Sequence, residues 1–215
     1  MNETISAPKP SNPWSTRRIV ITGMLAALIL IMIYTPVGLL TLPGTSIQIT
    51  FIHIPVLIGL LVEGPMVGFI LAFTFGAGTL LKGLVAPATL FDPLFINPLI
   101  SLLPRLLIPL TAWGTYKLIR AALPKKKSME SVAWSASALV GSLTNTVFVL
   151  LALFLVYQNR IAEIIASVGL EQYTGAVGKF LFFGVALPNG IPEAIATMIL
   201  VPAIMAAVVT VKKRK

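Results

Sequence analysis

The sequence predicts an all-α membrane protein: a bundle of six transmembrane helices with both termini in the cytoplasm of a bacterial cell membrane. The chain is 57% hydrophobic and 11% charged, whereas an ordinary soluble domain carries about 25% charged residues. Its mean hydropathy is +0.95, so some of its apolar side chains must face the lipid bilayer. Its basic residues lie mostly beside apolar segments, which is typical of membrane topology.

Six apolar segments are candidates to cross a bilayer as helices. They cover residues 18–37, 49–62, 66–81, 97–119, 132–157 and 179–211. Gly64 and Pro65 separate the second segment from the third, because both residues favour a turn over a continuous helix. Residues 1–15 are polar and proline-rich and predict a disordered cytoplasmic tail. Residues 16–215 then form a single transmembrane domain.

Positive charge predicts the orientation of the bundle. With six spans, the basic residues at positions 17–18, 117–127 and 212–215 all fall on one side of the membrane. The other side carries a sparse mixture of positive and negative charges. Because lysine and arginine concentrate in cytoplasmic loops, both termini are predicted to be cytoplasmic. Topology therefore accounts for the net charge of +9, and no nucleic-acid partner is predicted.

The residue inventory argues against several kinds of chemistry. The chain has no cysteine and one histidine, so no metal site and no cofactor are predicted. It has no P-loop for nucleotide hydrolysis. An intramembrane lipid-modifying enzyme is an alternative, but such enzymes usually need paired carboxylates, and the acidic candidates are Asp92 and Glu193. A self-sufficient secondary transporter is another alternative, although no internal repeat is found. No catalytic residue is predicted.

Polar residues within the apolar segments are the candidate substrate contacts. Arg105 and Glu193 are charged groups inside predicted spans, where each costs roughly 2.5 to 3.5 kcal/mol to insert. They either face a polar ligand or pair with each other across the bundle. The other candidates are the amides and the histidine that lie in or near the spans: Gln48, His53, Asn97, Asn145 and Asn189. Their alternative role is hydrogen bonding between helices or at helix ends.

Prolines and small residues add two structural predictions. Pro104, Pro188 and Pro192 free nearby backbone carbonyls, which a ligand, a water molecule or Arg105 can satisfy. Small residues spaced by four let helix backbones approach closely, and they occur in the third and first segments as Gly68, Ala72 and Gly76, and as Gly23 and Ala27. Packing within the bundle is the expected meaning, and docking to a partner membrane protein is the alternative.

A series of motifs along nearly the whole chain resembles the substrate-binding S components of energy-coupling factor (ECF) vitamin transporters. The motifs are Ile49-Thr-Phe-Ile-His-Ile-Pro-Val-Leu-Ile-Gly, Glu63-Gly-Pro, Asn97-Pro-Leu-Ile-Ser-Leu-Leu-Pro-Arg, Gly141-Ser-Leu-Thr-Asn-Thr and Asn189-Gly-Ile-Pro-Glu-Ala-Ile-Ala. The resemblance implies six helices and a pocket near the outer face. In the family, the first outer loop and spans four to six form that pocket.

The same resemblance implies partners and a mode of transport. A membrane coupling subunit and two cytoplasmic ATPase subunits complete the complex, and the S component topples in the membrane to release its vitamin inside. Family members dock through a small-residue motif in the first span, for which the nearest matches here involve Gly23, Ala26 and Ala27. The chain departs from the usual Ala-x-x-x-Ala pattern, so the docking register stays open.

The cargo implied by the resemblance is a small water-soluble vitamin or precursor. Arg105 favours a carboxylate and therefore pantothenate, and the motifs look most like the pantothenate and hydroxymethylpyrimidine branches. Hydroxymethylpyrimidine or pyridoxine, folate and riboflavin are alternatives. The scarcity of aromatic residues in the last three segments argues mildly against a large flat ring such as flavin.

Overall fold

The computed structural model describes residues 14–41, 48–124 and 127–213, so most of the predicted tail lies outside the described residues. The helices are α1 (Thr16–Tyr34), α2 (His53–Glu63), α3 (Pro65–Val85), α4 (Pro98–Ser101), α5 (Leu103–Ala122), α6 (Lys127–Ser167), α7 (Val177–Lys179) and α8 (Ile191–Lys213). A π-helix spans Phe180–Gly190, and short 3-10 turns lie at Pro36–Gly38, Asp92–Ile96 and Glu171–Tyr173. Two short strands, β1 (Leu39–Thr41) and β2 (Gln48–Thr50), pair antiparallel.

Four helical stretches of the described chain are long and apolar enough to cross a membrane: Thr16–Tyr34, Pro65–Val85, Met129–Ser167 and Val177–Thr210. Helix α2 is apolar but only 11 residues long. Large apolar side chains also point outward, and Met24, Leu118 and Leu155 are 68%, 71% and 69% exposed. Because extensive apolar surface of this kind is stable against lipid and not against water, the chain is a multi-pass membrane protein.

The turn predicted between the second and third segments is confirmed. Helix α2 ends at Glu63, α3 begins at Pro65, and Gly64 between them has a φ of +96°. Glycine adopts that conformation without the steric cost of a Cβ. The predicted close packing of α3 within the bundle is also confirmed, since a Cβ on Gly68 would lie 2.9 Å from the Cβ of Leu60. The two helices therefore form a tight hairpin.

The predicted start of the second segment at residue 49 is wrong. Leu39 pairs with Thr50 and Thr41 pairs with Gln48 in the β1–β2 ladder, and the helix starts only at His53. Threonine and isoleucine suit a strand because their branched Cβ is accommodated on a pleated surface. Strands β1 and β2 thus form a short antiparallel ladder that precedes α2.

The predicted fourth segment is two helices, because Pro104 interrupts it. Helix α4 ends at Ser101 and α5 begins at Leu103. A proline at position 104 has no N–H for the carbonyl of Ile100 and clashes with it, which breaks the helix there.

The last two segments also differ from their predicted bounds. Helix α6 does not end at Tyr157 but kinks there, with φ −126° and ψ 23°, and continues to Ser167. The extension is stable because Ile161, Ile164 and Ile165 on it are buried. The sixth segment begins at Val177, slightly before residue 179, and its first part is a π-helix with Pro188 inside it.

Two apolar cores hold the described helices together. The first draws on α1, α2, α3, α5, α6 and α8, and its fully buried members include Ile29, Leu57 and Leu71. The second joins the Asp92–Ile96 turn and α4 to the end of α6 and the π-helix, around Ile100 and Ile161. Thr111 and Thr144 hydrogen-bond at 2.9 Å and tie α5 to α6.

Candidate functional site

A cavity of about 230 Å³ has walls from both cores. Ile33 and Phe75 come from the first core, while Leu150 and Val185 pack against the second. The polar residues that line it are Thr50, Thr79, Lys82, Asp92, Arg105, Asn145, Thr146, Asn189 and Glu193. The cavity therefore brings together one amide or charged group from each of α5, α6, the π-helix and α8.

Arg105 is held in place by its own helix and by two aromatic rings. Its Nη1 donates to the carbonyl of Ile100 at 2.6 Å, which is the carbonyl that Pro104 cannot serve. This arrangement confirms that Pro104 frees a carbonyl for Arg105. The guanidinium carbon lies 5.1 Å from the ring centroid of Phe75 and 5.2 Å from that of Phe95, within the range of a cation–π interaction.

Within the described part of the chain, no side chain forms a direct ion pair with Arg105. The Arg105 side chain is only 5% exposed, and its buried Nε has no hydrogen-bond partner among the described residues. The ion pairs among the described residues include Arg17–Glu63 and Arg160–Glu163. Arg105 and Glu193 do not form an ion pair within this described set. A buried guanidinium with spare donors is suited to a planar anionic group such as a carboxylate.

Glu193 lies at the start of α8 and is contacted from two other elements. The backbone N–H of Thr50 on β2 donates to its Oε2 at 3.4 Å. Its Oε1 lies 3.3 Å from Nδ1 of His53 on α2. Glu193 of α8 thus contacts both β2 and α2 at one wall of the cavity.

Asn145 and Asn189 supply the two amides of the cavity wall. Asn145 on α6 is 7% exposed, and its Oδ1 is buried without a hydrogen-bond partner. The π-helix that carries Asn189 passes close to α6, since a Cβ on Gly190 would lie 2.9 Å from Cγ2 of Thr146. Segments of π-helix are frequent at functional sites, and this one carries Asn189 to the cavity that Glu193 of α8 also lines.

The remaining predicted contacts lie elsewhere. His53 is fully buried behind Glu193 and is not part of the cavity wall. Asn97 caps α4, where its Oδ1 accepts from the N–H of Leu99 at 3.0 Å. The side chain of Gln48 lies outside the part of the chain that the structure describes.

Sequence reasoning missed several members of the wall. Phe75, Phe95 and Lys82 were not predicted as site residues, and Asp92 was considered only as an acid for catalysis. The carboxylate of Asp92 accepts from the backbone N–H groups of Ala88 and Thr89, at 2.7 and 3.1 Å, so it orders the outer loop. An aspartate in a short Pro-rich connecting segment is the signal that could have indicated this role, because its carboxylate readily accepts from backbone N–H groups three and four residues before it.

These features define a class of protein: a helical membrane protein with an internal, mixed polar and aromatic cavity suited to binding a small molecule. The chain matches the model of the family described as ECF transporter, substrate-specific component, over residues 17–205. It belongs to that family and is a membrane substrate-binding subunit of an ECF transporter, which works with membrane and ATPase subunits. No curated protein matches the chain.

Proposed function

We propose that the chain captures a small, carboxylate-bearing, water-soluble vitamin or precursor, with pantothenate favoured, for import by an ATP-driven ECF complex. The observation that carries this proposal is Arg105, a buried guanidinium that lines a cavity and forms no direct ion pair with any residue that the structure describes. A carboxylate ligand would supply the missing partner in a water-poor site, where charge-assisted hydrogen bonds are strong. Asn145 and Asn189 would then bind hydroxyl or amide groups of the same ligand.

The size of the cavity supports a small cargo. Its volume of about 230 Å³ is below the roughly 300–1,000 Å³ of sites for drug-sized ligands. A compact molecule with one carboxylate and several polar groups fits this description better than folate or riboflavin. Hydroxymethylpyrimidine and pyridoxine are also small, but they lack the carboxylate that Arg105 favours.

For topology, we propose six spans with both termini in the cytoplasm of a bacterial cell membrane. The two further spans would be α2 and α5. Contacts at the start of α1 support this arrangement, since Arg18 Nη2 donates to the carbonyl of Glu63 at 2.9 Å and Arg17 pairs with its carboxylate at 3.3 Å. The N-terminal end of α1 therefore lies beside the α2–α3 turn, as alternating spans require.

For partner docking, we propose the α1 face that carries Gly23, Ala26 and Ala27. Gly23 and Ala27 are exposed and Ala26 is half-buried. A Cβ on Gly23 would meet no atom within 4 Å, so the face is open to a helix of the coupling subunit. Toppling of the S component in that complex would then deliver the vitamin inside.

Replacing Gly23 by leucine is expected to abolish co-purification with the coupling subunit and leave ligand binding intact. The added side chain enters open space in the isolated chain but prevents close approach of a partner helix. The matched control is Gly114→Leu on α5, another exposed helical glycine with no atom within 4 Å of its Cβ position. Equal co-purification of the two variants would exclude this face.

The ligand is tested by thermal stabilisation of the purified chain against a panel of vitamins and precursors. A ligand that binds only the folded state raises the melting temperature with its concentration relative to its Kd. A shift with pantothenate, in the absence of ATP and partner subunits, is the expected result. A shift with pyridoxine, hydroxymethylpyrimidine, folate or riboflavin in its place would refute pantothenate as cargo, and no shift at all would refute the binding proposal.

A further inference from the structure

Three buried side chains from α2 and α8 form a contact chain behind the cavity. His53 and Thr197 are both fully buried, and His53 Nε2 lies 2.8 Å from Thr197 Oγ1. Thr197 Oγ1 also lies 2.7 Å from the carbonyl oxygen of Glu193. The other ring nitrogen, His53 Nδ1, faces Glu193 Oε1 at 3.3 Å, and among the described residues neither of these two atoms has another hydrogen-bond partner.

The hydroxyl of Thr197 determines which ring nitrogen carries a proton. A carbonyl oxygen only accepts, so the single hydroxyl proton of Thr197 is donated to the carbonyl of Glu193, the usual bond of a helical threonine to the residue four before it. The hydroxyl oxygen then accepts from His53, and Nε2 must carry a hydrogen. If the ring is neutral, Nδ1 is therefore a bare acceptor.

The contact between Nδ1 and Oε1 consequently needs a further proton. Without one, a lone pair and a carboxylate oxygen would face each other at 3.3 Å, and two buried acceptors would remain unsatisfied, which is costly in a water-poor interior. With one, either a protonated Glu193 donates to Nδ1 or an imidazolium donates to the carboxylate. The distance is at the long end for a hydrogen bond, and both alternatives have the same net charge.

We propose that His53 and Glu193 share one proton, so that the buried pair is electrically neutral and the cavity keeps a net positive charge that selects an anionic substrate. Charged side chains from the surrounding elements set that balance. Arg105 on α5 and Lys82 on α3 are positive, Asp92 in the outer turn is negative, and α6 and the π-helix contribute only neutral groups to the wall. Two positive charges and one negative charge leave +1 beside a neutral pair, and zero beside an ionised Glu193.

His53 is thereby a positioning residue that acts through Glu193 without lining the cavity. Its Nδ1 holds the proton that keeps the Glu193 carboxyl compatible with a nearby ligand carboxylate. The selectivity part of this inference rests on the proposed binding of a carboxylate, whereas the charge state of the pair does not depend on any ligand.

The charge state is measured on the ligand-free protein in lipid nanodiscs. His53 is the only histidine in the sequence, so ¹⁵N-histidine labelling of protein purified without a polyhistidine tag gives the NMR shifts of one ring. Infrared difference spectra report a protonated carboxyl group, which is assigned to Glu193 by its loss in Glu193→Gln. Glu63→Gln is the control, since Glu63 pairs with Arg17 away from the cavity and its substitution should leave both spectra unchanged.

The expected result is a neutral Nε2–H ring with a protonated Glu193, or an imidazolium with an ionised Glu193. In Glu193→Gln the ring should be a neutral Nε2–H tautomer, because the amide donates to Nδ1 as the protonated acid would. An ionised Glu193 beside a neutral ring of either tautomer, or an imidazolium beside a protonated Glu193, would overturn the proposal.

Selectivity is tested with pantothenate as the probe over a range of pH. The same NMR and infrared spectra, recorded over that range, show the pH at which the pair loses its shared proton. Loss of this proton adds a negative charge beside the ligand carboxylate. The affinity for pantothenate should therefore fall by about tenfold or more as pH rises through that point. Constant affinity through that point would refute the selectivity role and leave the ligand assignment itself unaffected.

Discussion

Replacement of Arg105 by methionine is expected to weaken carboxylate binding about 100-fold or more and to abolish the thermal shift caused by pantothenate. Arg105 is the buried cation of the cavity wall, and loss of one partner of a desolvated, hydrogen-bonded charge pair costs about 2 to 5 kcal/mol. Methionine keeps much of the length and the contact with Phe75 and Phe95, so the cavity walls stay packed.

The melting temperature without ligand separates this binding role from a structural one. Removing Arg105 leaves the carbonyl of Ile100 without a donor, at a cost of about 1 to 3 kcal/mol, but it also removes a buried charge, which favours folding. These contributions oppose each other, so the ligand-free protein should melt close to the parent temperature. Strong destabilisation with an intact pantothenate shift would instead indicate that Arg105 serves the fold alone.

A matched control for Arg105→Met is Arg160→Met. Arg160 is exposed and pairs with Glu163, at 2.6 Å and three residues away. Exposed pairs of this kind contribute about 0 to 1 kcal/mol, so both the melting temperature and the pantothenate shift should remain those of the parent. Loss of the shift in this control would show that the assay responds to any change of charge.

The polar members of the site could be predicted because their signal is local. Arg105 and Glu193 stand out as charges within apolar helices, where insertion is costly. Asn145 and Asn189 lie in the fifth and sixth of these apolar segments, and all four residues line one cavity. The freed carbonyl of Ile100 was equally predictable, because the effect of Pro104 extends only one helical turn.

Contacts between distant parts of the chain could not be predicted in this way. His53 meets Thr197 across 144 positions, and nothing near either residue in the sequence indicates the other. Phe75 and Phe95 have the sequence pattern of ordinary apolar residues, and only the fold brings both ring centroids to 5.1 and 5.2 Å from the guanidinium carbon of Arg105.

Secondary structure was mispredicted where the apolar pattern is ambiguous. Short apolar runs do not distinguish a strand from a helix, so Ile49 and Thr50 of β2 were assigned to the second span. The apolar sequence of the π-helix at Phe180–Gly190 does not differ in kind from that of an α-helix. This segment packs closely against α6 where Gly190 meets Thr146, a contact that is remote in sequence. The kink in α6 occurs at Tyr157, which is neither a proline nor a glycine, so the sequence at that position does not indicate a kink.

The close approach of α3 to the start of the fourth segment predicts a second large effect. A Cβ on Gly76 would lie 2.7 Å from the backbone oxygen of Ser101 and 3.0 Å from Cα of Leu102. These backbone atoms belong to the break between α4 and α5. Leu102 lies two residues before Pro104 and three residues before Arg105, and Ser101 lies one residue earlier. Any larger residue at position 76 must therefore displace the segment that positions the guanidinium.

Replacement of Gly76 by leucine is accordingly expected to destabilise the protein by about 3 kcal/mol or more, at or beyond the upper end of ordinary overpacking costs. Gly114→Leu is the matched control, because its side chain enters open space and leucine forms helix better than glycine by up to about 1 kcal/mol. The two variants should thus shift the melting temperature in opposite directions, and only Gly76→Leu should lose the pantothenate shift. If Gly76→Leu melts and binds like Gly114→Leu, the α3 backbone does not set the position of Arg105.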